Sequence, residues 1–144
     1  MSRAFFEQVV EALAGFVDPQ YRGFTHRATG SNAKVWFGDE PKEHYEVQSL
    51  RRDGRALLEI GFHVEHADRL RSEAVLAPLL AAEVGWRQQL GAEPEAGPFM
   101  GRSGGWRRVS ETWADADLSD PGAAVEAADR LAMYIGALEP RRRG

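Results

Sequence analysis

The dipeptide Asp53-Gly54 constrains this chain more than any other feature. It separates two strand-like runs, His44 to Arg52 and Arg55 to Glu65. Asp-Gly is the pair a two-residue type I′ turn selects, because both central residues need positive φ. Such a turn leaves no freedom of register: Arg52 faces Arg55, and each step back along one strand meets a step forward on the other. Because successive side chains point to opposite faces, Tyr45, Val47, Ala56, Leu58, Ile60, Phe62 and Val64 share one face, the expected core side. The other face carries His44, Glu46, Gln48, Glu59, Gly61, His63 and Glu65, with Leu50 opposite Leu57 near the turn.

The same register sets His44 directly opposite His63, Gln48 opposite Glu59, and Glu46 opposite Gly61. Opposed side chains have Cβ atoms roughly 4.5 to 5.5 Å apart, close enough for two imidazoles to reach one ion. The repeated His-x-Glu, His44-Tyr45-Glu46 and His63-Val64-Glu65, thus gathers two imidazoles and two carboxylates, with open space expected beside Gly61. Imidazole and carboxylate together suit zinc, manganese or iron. On this reading His44, His63 and Glu65 hold the metal, and Glu46 is the general base of a hydrolase. The competing reading is a solvated polar sheet face, which antiparallel sheets often expose. A third is a small-ligand pocket on that face, using His44, Glu46, Gln48, Glu59 and His63. Trp36 or Trp106 would line it, and the loop from Ala28 to Ala33 would close it.

Around the hairpin, hydrophobic periodicity supplies the remaining elements. Phe5, Phe6, Val9, Val10, Leu13, Phe16 and Val17 recur at three- and four-residue spacing and predict an N-terminal helix. An irregular stretch through Phe24 and the loop Ala28–Ala33 lead to a short strand, Lys34 to Phe37. A helical region is predicted from Ala67 to Leu90, with a kink or restart at Pro78. Pro94, Gly97 and Pro98 confine any strand between Glu93 and Gly101 to a sheet edge. Arg102-Ser103-Gly104-Gly105 reads as a turn, and Trp106 to Trp113 as a strand that points its two tryptophans to opposite faces. Asp120-Pro121 opens a last helix through Val125, Leu131, Ile135 and Leu138, ending at Pro140. The expected fold is a single α+β domain over residues 1–140, in the order α-β-β-β-α-β-β-α. Its sheet is antiparallel, with the helices packed on one face. Residues 141–144 form a basic tail expected to fray in solvent.

Composition narrows the function classes. The 144 residues are 43% hydrophobic and 28% charged and contain no cysteine. Disulfides, thiolate metal sites and cysteine nucleophiles are therefore excluded. No apolar run approaches the roughly 18 to 20 residues of a membrane-spanning helix, so no membrane partner is expected. With 18 basic against 22 acidic residues the net charge is −4, and nucleic acid is not an expected partner. No secretory signal is read at the N-terminus, so the expected compartment is the cytoplasm. Gly30-Ser31-Asn32-Ala33-Lys34 lacks the phosphate-loop pattern.

The elements Phe5–Val17, the Lys34–Glu65 strands, Ala67–Leu90, Trp106–Trp113 and Val125–Leu138 follow an order that resembles the type III secretion chaperone-like fold. The resemblance covers nearly the whole chain and rests on element order, without a shared motif. It implies a small cytosolic, non-catalytic module that binds a protein or peptide partner, as a homodimer. The order helix, three strands, helix, strand is also similar to that of restriction-endonuclease-like nucleases. In Glu59-Ile60-Gly61, however, glycine stands where that family carries its active-site lysine. A divalent-metal-dependent hydrolase or a small-ligand binder using the His/Glu cluster is the alternative to the binding module.

Overall fold

The computed structural model describes residues 2–99 and 104–142. In chain order the elements are α1 (Ser2–Phe16), a 3-10 turn (Pro19–Tyr21), β1 (Thr25–Ala28), β2 (Asn32–Trp36), β3 (Glu43–Arg52) and β4 (Arg55–Val64). Then come α2 (Arg69–Ala81), α3 (Glu83–Leu90), β5 (Glu95–Pro98), β6 (Arg107–Ala114) and α4 (Pro121–Arg142). The architecture is the expected α+β one: a single antiparallel sheet in the order β1-β2-β3-β4-β6-β5, with α1, α2 and α4 packed against it. Among the described residues no helix is long and apolar enough to cross a membrane.

The hairpin forms as its sequence dictates. Asp53 and Gly54 have φ of 53° and 77°, and β3 and β4 pair from Arg52↔Arg55 back to Glu43↔Val64, including His44↔His63. Tyr45, Val47, Leu58, Ile60, Phe62 and Val64 are all buried; Ala56, out at the hairpin tip, is exposed. They meet Phe5, Phe6, Val9 and Leu13 of α1, Leu76 and Leu79 of α2, and Leu131, Ile135 and Leu138 of α4 in one core. Burying each large apolar side chain contributes about 1.5 to 3 kcal/mol, so this face fixes the sheet firmly against the helices.

Three local expectations are corrected. Thr25–Ala28 is a sixth strand where an irregular stretch and loop were predicted. It is a mostly exposed edge strand, so it carries no alternating pattern to read. The chain turns tightly from it into β2 because the Thr29 hydroxyl accepts the N–H groups of Ser31 and Asn32. Second, α2 runs through Pro78 and breaks at Ala82. The Leu79 carbonyl at the break is satisfied by the indole N–H of Trp86 at 2.7 Å.

Third, of the expected tail Arg141 and Arg142 do not fray, since α4 continues past Pro140 and includes both; Arg143 and Gly144 lie outside the described residues. The Arg142 guanidinium donates to Glu43 Oε1 at 2.6 Å and to Glu139 Oε1 at 2.9 Å, and lies over the Phe62 ring. Glu139 also accepts the Tyr45 hydroxyl. Arg142→Ala strips two largely buried carboxylates of their cation and is expected to lower stability by about 2 kcal/mol. Urea denaturation measures this; a solvated arginine would leave the midpoint unchanged.

Candidate metal centre

The type I′ turn places the cluster at the end of the hairpin remote from Asp53-Gly54. His44 and His63 face each other across β3 and β4 with their rings 5.7 Å apart and 3° from parallel. Glu46 lies two residues along β3. Glu65 follows β4 directly and is held there by its N–H to the Lys42 carbonyl at 2.8 Å. The neighbouring strands complete the face: β2 sets Lys34 beside Glu46, and β6 sets Arg108 beside His63 and Ser110 beside Gly61.

A solvated polar face is overturned by burial. His44, Glu46, Glu59 and His63 are at most 1% exposed, as deep as the apolar core on the other side. Around them the side chain of Glu65 is 17% exposed and that of Lys34 is 29%, so among the described residues Glu65 is the ligand that solvent reaches.

Each imidazole is held from behind. His44 Nδ1 lies 2.8 Å from the Pro41 carbonyl and therefore donates to it, which turns Nε2 inward. His63 Nε2 donates to the Glu59 carboxylate, 2.7 Å from Oε2, which turns Nδ1 inward. Glu59 is fixed in turn by Gln48 Nε2 at 2.7 Å and by the Ser110 hydroxyl. The inward nitrogens meet carboxylates: His44 Nε2 is 2.9 Å from Glu46 Oε1 and 3.6 Å from Glu65 Oε2, and His63 Nδ1 is 3.8 Å from Glu65 Oε2. One donor atom from each of His44, Glu46, His63 and Glu65 falls within 4.8 Å of all the others. Ligand atoms sharing an ion at about 2.1 Å stand about 3.0 to 3.4 Å apart, so small side-chain adjustments close this set on a metal.

The electrostatics are those of a tightly coupled group. Burial opposes charge on His63, but the Glu59 carboxylate outweighs it, with Glu46 and Glu65 adding to the attraction, and the imidazole is pushed up to about 9. Burial also disfavours the Glu46 and Glu59 carboxylates. Hydrogen bonds and charge from the histidines more than offset it, leaving both below the usual carboxylate range. In metal-free protein the His63 contribution to stability is therefore complete below its ordinary 6.5 and is lost as pH rises through about 9. Urea midpoints of metal-stripped protein are expected to fall between pH 6.5 and 9.5, and the fall to shrink in His63→Gln.

Of the residues singled out from sequence, His44, Glu46, His63 and Glu65 converge, and Gln48 and Glu59 stand directly behind them. Glu46, assigned as a general base, sits among the ligand atoms. Trp36 is half-buried at the end of β2, on the strand face that carries Lys34. Trp106 is 39% exposed and packs on Phe99, which lies 5.1 Å from the His63 ring, while Trp113 is the one of the two that packs against the core. The Ala28–Ala33 segment does not close the face: it is the β1–β2 turn and packs at the Gln48 end, where Ser49 N–H reaches the Ser31 carbonyl. His26 packs on Phe24 at the α1 side, and His66 is bonded to Glu43 at 2.7 Å.

The space expected beside Gly61 is also absent. A Cβ there would lie 2.3 Å from the Val109 carbonyl oxygen and 2.5 Å from Ser110 Cβ, so β6 fills it. Lys34, Phe99, Arg108 and Ser110 are the site neighbours that sequence reasoning missed. The parity of β6 already placed Arg108 and Ser110 on one face, but nothing in the sequence tied that face to His63. Two wider surface grooves, one between α1 and β1 and one between the N-terminal ends of α1 and α4, lie away from the cluster and gather no comparable chemistry. Comparison with protein families, with curated proteins and with solved structures finds no match for this chain.

Proposed function

We propose that this protein binds a divalent transition metal, zinc, manganese or iron, through His44 Nε2, His63 Nδ1 and the carboxylates of Glu46 and Glu65. One observation carries the reading: both imidazoles have their outer nitrogens engaged by non-metal acceptors, Pro41 and Glu59, so that their inner nitrogens converge with two carboxylates. Metal-ligating histidines are oriented by such outer partners.

An ion held by these residues with a further coordination position open, as manganese, iron or five-coordinate zinc would have, would acidify a bound water and so supply hydrolytic chemistry. The non-catalytic peptide-binding reading rests on element order alone, and a dimer in sedimentation equilibrium is the observation that would favour it.

The test is calorimetric titration of zinc into metal-stripped protein in two buffers of different ionisation enthalpy. The expected result is about one ion per chain with a Kd below about 1 μM and net proton release. Absence of saturable uptake up to about 1 mM zinc contradicts the proposal.

A further inference from the structure

The ammonium of Lys34 is unusually placed for a surface-facing lysine. It stands in register with Glu46 and acts on that carboxylate through charge, yet its ion-pair partner, Glu65 Oε1, is 3.7 Å away, beyond hydrogen-bond distance. Its three donors thus make no hydrogen bond among the described residues. It also stands beside Glu65, the most exposed of the four ligands. A metal drawing on Glu65 Oε2 weakens the hold of that carboxylate on Lys34 further.

A second cation faces the same cluster. Arg108 is 3% exposed and donates to the Ser110 carbonyl and hydroxyl, and its Nε has no partner among the described residues. Its carboxylate partner Glu95 is 3.3 Å away but two-thirds exposed, and so is screened by water. With a dication in place and both imidazoles neutral, Lys34, Arg108 and the ion balance the carboxylates of Glu46, Glu59, Glu65 and Glu95, so the attraction for an anion is local, from the ion and the Lys34 ammonium.

We propose that the metal centre takes a small oxyanion, a carboxylate or a phosphate, that bridges the ion and the Lys34 ammonium. This rests on the metal reading above and names the ligand class of the same site. An oxygen of the anion occupies the open coordination position, and a second oxygen accepts from Lys34, a charge-assisted hydrogen bond.

Cobalt-loaded protein provides the test, because the visible bands of the ion report both its binding and any change in its ligands. Inorganic phosphate and acetate are titrated separately into wild type, Lys34→Gln and Lys34→Arg, with sodium chloride at matched ionic strength as the control. Phosphate, acetate or both are expected to shift the wild-type bands saturably, and which of them does so identifies the anion class. Lys34→Gln is expected to weaken anion binding about tenfold or more, while binding cobalt at least as tightly as wild type, since a repelling charge is gone. Lys34→Arg is expected to restore most of the anion affinity. Bands that neither anion moves, a shift matched by chloride, or equal anion affinity in Lys34→Gln would overturn the oxyanion proposal alone. Failure of wild type to develop cobalt bands overturns the metal reading with it.

Discussion

His63→Ala is expected to weaken zinc binding by roughly 100- to 1,000-fold, the loss of one of four ligands from a site of ordinary strength. Glu59→Gln is expected to weaken it by roughly 10- to 100-fold, although Glu59 touches no ion. The order of these effects follows from the geometry. Glu59 holds His63 Nε2–H and thereby selects the tautomer that presents Nδ1 to the ion. A glutamine keeps the shape but provides a weaker acceptor with a competing donor, so the imidazole is oriented less firmly and is less basic. If Glu59 were merely a packing residue, the change would lower stability and leave zinc affinity alone. Titrating zinc against a competing chelator, with urea denaturation beside it, separates the two. The Gln48 and Ser110 contacts to Glu59 predict that changes at those positions act in the same direction, less strongly.

Gly61→Ala is expected to cost the fold about 3 kcal/mol, at the upper end for overpacking. The added methyl would stand 2.3 Å from the Val109 carbonyl oxygen and 2.6 Å from Ser110 Cα, both in the facing strand, where no flexible side chain can yield. The φ of 154° adds a conformation that residues with a Cβ adopt rarely. Relief requires β6 to move away from β4, which would also shift Arg108 and Ser110 from behind the cluster. The expected readout is a lowered urea midpoint, accompanied by weaker zinc binding in the fraction that stays folded. An unchanged midpoint would show that β4 and β6 do not approach so closely.

The hairpin was legible in the sequence because a two-residue Asp-Gly turn determines register outright, and register placed His44 against His63 before any packing was known. The core face followed from the same parity, confirmed down to Val64 on β4. The burial of the polar face was not legible. It depends on which strands flank the hairpin, and β2 is joined to β3 by a connection too long to fix register, so Lys34 could not be placed beside Glu46. Nor could the approach of β6 over Gly61 be read, because it is a contact between strands separated by two helices. Pro78 misplaced the helix break, since a proline interior to a helix can be carried by tertiary packing. The terminal arginines carried the signal of a solvated tail, whereas the partners of Arg142, Glu43 and Glu139, are assembled by the fold.

The central claim, that His44, Glu46, His63 and Glu65 form a metal centre, is tested most directly by the metal content of tag-free protein. Elemental mass spectrometry of wild type and of a His44→Ala/His63→Ala variant, purified identically and exchanged into metal-free buffer after zinc loading, gives the answer. The account predicts close to one zinc per wild-type chain and a loss of nearly all of it in the variant. Folded wild-type protein that retains no zinc, or a variant that retains as much as wild type, would contradict it.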